Sequence, residues 1–222
     1  MATDYERVRQ YILEKAVSNI PRPFVEEYAE RARRAYSEVY SEVAAHPATL
    51  EHQRLFKLNQ DRCFRMDWEL YTCAKEHGVI ATSNLLPENQ WYHTYAVSGC
   101  FGMTQSYVQA VGDLPAPAKF RERLAEAARC PRLAFDDAEE IFKVKEFYAL
   151  FAHNPVGRTF TEENQRLGSL MFSVPSKDMR SWVADISVPE LLSLYPAKKT
   201  TRKVGRSPTW KAPEKKSGTG TE

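Results

Sequence analysis

Several features that announce a chemistry are missing from this chain. Its four cysteines, Cys63, Cys73, Cys100 and Cys130, show no CxxC spacing and are too sparse for a disulfide scaffold, so they read as reduced thiols. No stretch reaches the roughly 20 apolar residues of a membrane span, and the opening MATDYERVRQ lacks the apolar centre of a signal peptide. A soluble, cytoplasmic protein is the expectation. P-loop, Rossmann, HExxH and EF-hand patterns are all absent, so no cofactor is expected. Cys73 and His77, four apart, could share a helix face as metal ligands, but no paired ligands elsewhere complete a zinc set; no metal site is expected. His93 and Cys100, seven apart, lack a defined base and read as packing residues.

What is present suits one well-packed body. The 222 residues are 43% hydrophobic and 12% aromatic, within the soluble globular range. The formal charge of +2 hides an asymmetry. Residues 197–222 carry eight Lys or Arg against two Glu, a charge of +6, which leaves the preceding body at −4. The chain therefore divides into an α-helical domain, 1–196, and a disordered basic tail, 197–222, rich in Lys, Thr, Pro and Gly. In that tail Lys198, Lys199, Arg202, Lys203, Arg206 and Lys211 offer phosphate contacts and Trp210 a stacking surface, the makings of a salt-sensitive, nonspecific contact with RNA or DNA.

Helical spacing dominates the first third. Thr3 and Glu6 have capping-box spacing for a helix running to about Ser18, before Pro21 and Pro23. Phe24, Tyr28, Ala32, Ala35, Val39 and Val43 recur at steps of three and four, and Cys63, Met66, Leu70, Cys73 and His77 do the same within a third helix from Thr49 to His77. Its acids Asp61, Asp67, Glu69 and Glu76 read as solvated. Val79 to Leu86 reads as a linker. Pro87 to Val111 admits either strands, in TYAVSG and QSYVQAV, or a helix with close-packing small residues; the helix is preferred. Short helices are expected at Lys119 to Arg129, Thr161 to Phe172 and Lys177 to Asp185, with a last turn in Pro189 to Tyr195. The sum is an all-α, up-and-down multi-helix bundle elaborated by short C-terminal helices.

The stretch from Asp137 to Arg158, DAEEIFKVKEFYALFAHNPVGR, stands out. Asp136 and Glu139 suggest a capping box for a helix apolar on two sides. Ile141, Val144, Phe147, Tyr148 and Phe151 gather on one; Phe142, Glu146, Ala149 and His153 gather on the other and form the expected interface. An acidic start, an apolar helix and then Ala152-His153-Asn154-Pro155 resembles the last conserved helix of the HEPN superfamily, compact helical proteins that often act as metal-independent ribonucleases. The resemblance covers about twenty residues. It implies a dimer interface at His153 and an Arg four to six intervening residues before it; Glu146, Phe147 and Tyr148 stand there instead, so the group that would stabilise a phosphorane is missing. The expected function is therefore a non-catalytic HEPN-like binding protein that forms a homodimer or a partner complex, with the tail touching nucleic acid. One alternative is a metal-independent endoribonuclease in which His153 moves the proton and Arg158 replaces the missing Arg. Another is a pure protein-interaction adaptor.

Overall fold

A computed structural model of the chain describes residues 3–86, 91–131 and 138–196. It overturns the all-α bundle: a six-stranded mixed sheet lies beside the helices, an α/β architecture.

The helical first third follows its sequence signals. Helix α1 (Asp4–Asn19) opens on a capping box in which Thr3 N–H donates to Glu6 at 2.7 Å and Glu6 N–H to Thr3 Oγ1 at 3.2 Å. Helix α2 (Arg22–Ala45) starts where Pro23 can occupy a first-turn position without losing a hydrogen bond. It buries Phe24, Tyr28, Ala32, Tyr36 and Val39 along one stripe, each large side chain contributing about 1.5–3 kcal/mol. After a 3-10 turn at Glu51–Gln53, α3 (Arg54–Glu76) runs back antiparallel. Arg31 donates to Thr72 at 3.1 Å, and at the other end Arg65 reaches Glu38 and Glu42 at 3.1 and 3.0 Å.

From residue 80 onward the expectations fail in one direction, helix or linker for strand. Strand β1 (Ile80–Leu86) replaces the linker, and β2 (Trp91–Ser98) and β3 (Phe101–Tyr107) replace the preferred helix. The glycines that would weaken that helix serve a hairpin instead. Gly99 sits at φ +54 in the two-residue turn Gly99-Cys100, and a Cβ there would lie 2.1 Å from the Asn19 side chain. Asp137 to Arg158 is not one helix either. Within it a short α5 (Ala138–Ile141) and strand β4 (Phe147–Pro155) are described, and Asp136 and Asp137, with the expected capping box, lie outside the described residues. A strand covered on both faces carries a continuous apolar run, FYALFA, rather than an alternating one, and such a run imitates a buried helix. Strands β5 (Leu167–Pro175) and β6 (Trp182–Ser187) likewise occupy the segments of the two expected C-terminal helices. Helix α4 (Lys119–Ala128) and the final α6 (Val188–Ser193), capped by Ser187, match their expected positions.

The strands lie in sequence order, β1 to β6. All neighbours are antiparallel except the central pair β3 and β4, which run parallel from Phe101 beside Phe147 to Tyr107 beside His153. A parallel pair needs a crossover, and α4 and α5 lie within it. The side chains of β4 alternate between two layers. Phe147, Ala149 and Phe151 join the main core with α1 to α3, where Phe151 packs on Phe24 and Tyr28 at ring distances of 6.1 and 4.8 Å. Tyr148 and Leu150 point the other way and pack with Ala125 of α4.

Candidate functional site

His153 lies on the helix-facing side of β4 and is 1% exposed. Its ring edges meet α2 and β3. Tyr36 Oη is 2.6 Å from Nδ1, and Gln105 Oε1 is 2.8 Å from Nε2. Gln105 Nε2 donates to Asp67 Oδ1 at 3.0 Å and to the Cys63 carbonyl at 3.3 Å. Since the amide nitrogen is spent on acceptors, Gln105 Oε1 must accept, which assigns the imidazole proton to Nε2 and leaves Nδ1 to accept from the tyrosine hydroxyl. The proton direction is then continuous, from Tyr36 through His153 and Gln105 to the Asp67 carboxylate. Burial, reinforced by the nearby Arg62 charge, pushes the His153 pKa down to about 3, so the ring is neutral at pH 7. Tyr36 is held well above the usual phenol range by burial. Asp67, expected among the solvated acids, is buried and anchors the relay. Beyond it, His93 Nδ1 lies 3.3 Å from Asp67 Oδ2 but is not aligned for a hydrogen bond; its ring stacks on Phe120 with centroids 4.3 Å apart.

A buried cation flanks this seam. Arg62 lies 4.2 Å over the Tyr36 ring and donates from Nη1 to Gln165 Oε1 at 2.8 Å and from Nη2 to the Gln165 carbonyl. Gln165 in turn donates to the carbonyls of Gly157 and Thr159 at 3.2 and 2.7 Å. Arg62 thereby clamps the loop between β4 and β5. Arg158 belongs to that loop and is exposed, with Gln109 Oε1 3.4 Å from its Nη2. It lines an open cleft of about 300 Å³ with Asn59, Tyr107 and Gln165, while His153 is engaged with Tyr36 and Gln105 behind it.

The four residues expected to form one helix interface are dispersed. Ala149 and His153 face the main core from β4. Glu146 is exposed just before that strand, and half-buried Phe142 packs edge-on against Tyr11 at 4.9 Å. No contact links Glu146 with His153; the histidine takes Tyr36 and Gln105 as its partners. Cys73 and His77 also part company. The Cys73 thiol donates to the Phe24 carbonyl at 3.6 Å and burial pushes its pKa up to about 12, whereas His77 Nε2 meets Glu27 at 2.9 Å. No cluster of three or more potential metal ligands occurs among the described residues, and no described helix is long and apolar enough to cross a membrane. The tail residues Lys198, Lys199, Arg202, Lys203, Arg206, Trp210 and Lys211 lie outside the described residues.

The open surface lies elsewhere, on α3 and the first hairpin. Helix α3 turns Leu58, Met66, Leu70 and Cys73 inward and leaves Phe64 and Trp68, one turn apart, 47% and 60% exposed. Phe64 packs on Trp91 of β2 with centroids 5.3 Å apart. Next to Trp91, Tyr92 is 58% exposed, and its cross-strand partner Leu85 on β1 is 51% exposed. Ile80, at the other end of β1, is 69% exposed. Sequence reasoning missed this surface, although a signal exists: Phe64 and Trp68, four apart, are large aromatics on a helix whose core stripe is already complete without them. Strand alternation puts Trp91 and Tyr92 on opposite faces of the hairpin, as it does Ile80 and Leu85, so the exposed apolar groups flank both faces of β1 and β2; such concentrations of large exposed apolar side chains mark interaction sites more often than single ones do. No family model, curated protein or solved structure matches this chain.

Proposed function

We propose that this chain is a binding protein and that its working surface is the aromatic ridge of α3 together with the β1–β2 hairpin. The observation that carries this is the separation of chemistry from access. The groups able to move a proton, Tyr36, His153 and Asp67, are enclosed and mutually satisfied, while the exposed groups on α3 and the hairpin are mostly apolar or aromatic. Aromatic side chains lose little conformational entropy on docking and bury about 150–250 Å² each, and they concentrate at energetic hot spots of interfaces. A ribonuclease working through His153 gains no support from this geometry, because both ring nitrogens are occupied and the ring is sealed from a phosphate. The charge of the 197–222 stretch supports an added, salt-dependent contact with nucleic acid, which removal of those residues would abolish.

A photo-crosslinking amino acid placed at position 92, and separately at position 33 on the exposed face of α2, tests the surface in cells expressing the full chain. A defined crosslinked product from position 92, absent from position 33, is the expected result. Equal or absent crosslinking at both positions overturns the assignment.

A further inference from the structure

The two edges of the sheet are built differently. The β6 edge is six residues long, carries Asp185, whose carboxylate accepts from Ser173, and belongs to a pair whose register shifts between Val174 and Pro175. Charges and bulges of this kind protect an edge from adding another strand. Strand β1, with the sequence IATSNLL, has neither charge nor proline, and its seven residues pair with β2 without a register shift. Among the described residues no strand lies on its outer side. An edge of this length without protection is a template for another strand.

We propose that β1 pairs antiparallel with β1 of a second copy of this chain, about a twofold axis at Ser83, joining two sheets into one of twelve strands. This rests on the α3–hairpin surface being the binding surface, and it commits that surface to self-association. The strand is self-complementary about its centre. Antiparallel pairing there sets Ile80 opposite Leu86 and Ala81 opposite Leu85, apolar against apolar. It sets Thr82 opposite Asn84, polar against polar, and Ser83 opposite its own copy. A twofold interface requires this property, because the same patch must serve both sides. At the edge itself Ile80 and Leu85 leave apolar surface exposed on opposite faces of the strand, so a paired β1 would gain apolar contacts above and below the seven residues of edge backbone.

The register makes the test specific. Ser83 is exposed, so Ser83→Asp and Ser83→Lys leave the monomer's core untouched while each sets like charges directly opposite one another across the axis. In light scattering of the full chain at tens of micromolar, the natural protein should run at twice its 25.5 kDa mass. Each variant alone should run as a monomer, and an equal mixture of the two should return to the dimer, with circular dichroism confirming the fold throughout. A monomeric natural protein, or variants that stay dimeric, would overturn the proposal. Crosslinking from position 92 to a different protein would overturn self-pairing and leave the binding surface standing; failure of that crosslink altogether removes both.

Discussion

The seam around His153 and the ridge around Trp68 share helix α3, which gives Asp67 to one and Trp68 to the other, and they use their residues in opposite ways. In the seam every polar group is costly to leave unpaired, so Tyr36, His153, Gln105 and Asp67 specify one another's positions. On the ridge, Phe64, Trp68 and Tyr92 keep about half of their surface in contact with water. Residue types that often signal catalysis are here hydrogen-bonded to one another, and under the proposed function plain hydrophobes carry recognition.

Substitutions can break that contrast if it is wrong. The largest effect on stability is expected from Gln105→Leu, which strands the His153 Nε2–H, the Asp67 carboxylate and the Cys63 carbonyl together; a loss of about 3 kcal/mol is expected in urea unfolding. Tyr36→Phe removes a single donor from His153 Nδ1 and should cost about 1–2 kcal/mol by the same measurement. A cost near zero for both would mean the seam is not a satisfied unit.

Acid should act on the seam next. The unfolded chain protonates its histidine near pH 6.5, whereas folded His153 resists until about pH 3. The stability contribution is therefore fully present above pH 6.5 and is lost as pH falls through the window down to about 3, at up to about 1.4 kcal/mol per pH unit. Glu27, whose carboxyl is held low by Arg31 and His77, adds to the slope only below its ordinary range. His153→Gln, neutral at every pH, should flatten the decline between pH 6.5 and 4.5; an unchanged slope in that variant would place its cause elsewhere. The smallest stability effect belongs to the ridge. Trp68→Ser should change the unfolding free energy by no more than about 0.5 kcal/mol yet weaken crosslinking from position 92, and a large stability loss would make Trp68 a core residue after all.

The helices were legible because their signals are local. A cap at Thr3, proline at position 23 and stripes of three-four spacing act within a few residues, and α1, α2, α3, α4 and α6 fall close to where those signals put them. The strands were not legible, since Phe147 to Ala152 is apolar at every position and offers no alternation to read. Alanine, leucine and methionine in β4 and β5 favour helix in isolation, and sheet burial overrides that preference. His153 was expected at an interface, and its network instead runs inside the chain to Tyr36, Gln105 and, through Gln105, Asp67 on three other elements; linear spacing encodes none of those meetings. The resemblance to the last HEPN helix rested on a helical placement of His153 that the strand β4 replaces.

The parallel pairing of β3 with β4 also has a consequence in time. Tyr107 meets His153 only after the 45 intervening residues exist, so during synthesis at about 5–20 residues per second the inner edge of β3 waits for several seconds without its neighbour. Throughout that interval the nascent sheet has two open sides, and Tyr36 has no histidine to meet. Completion of the core is thus a late event, and the crossover through α4 and α5 sets its delay.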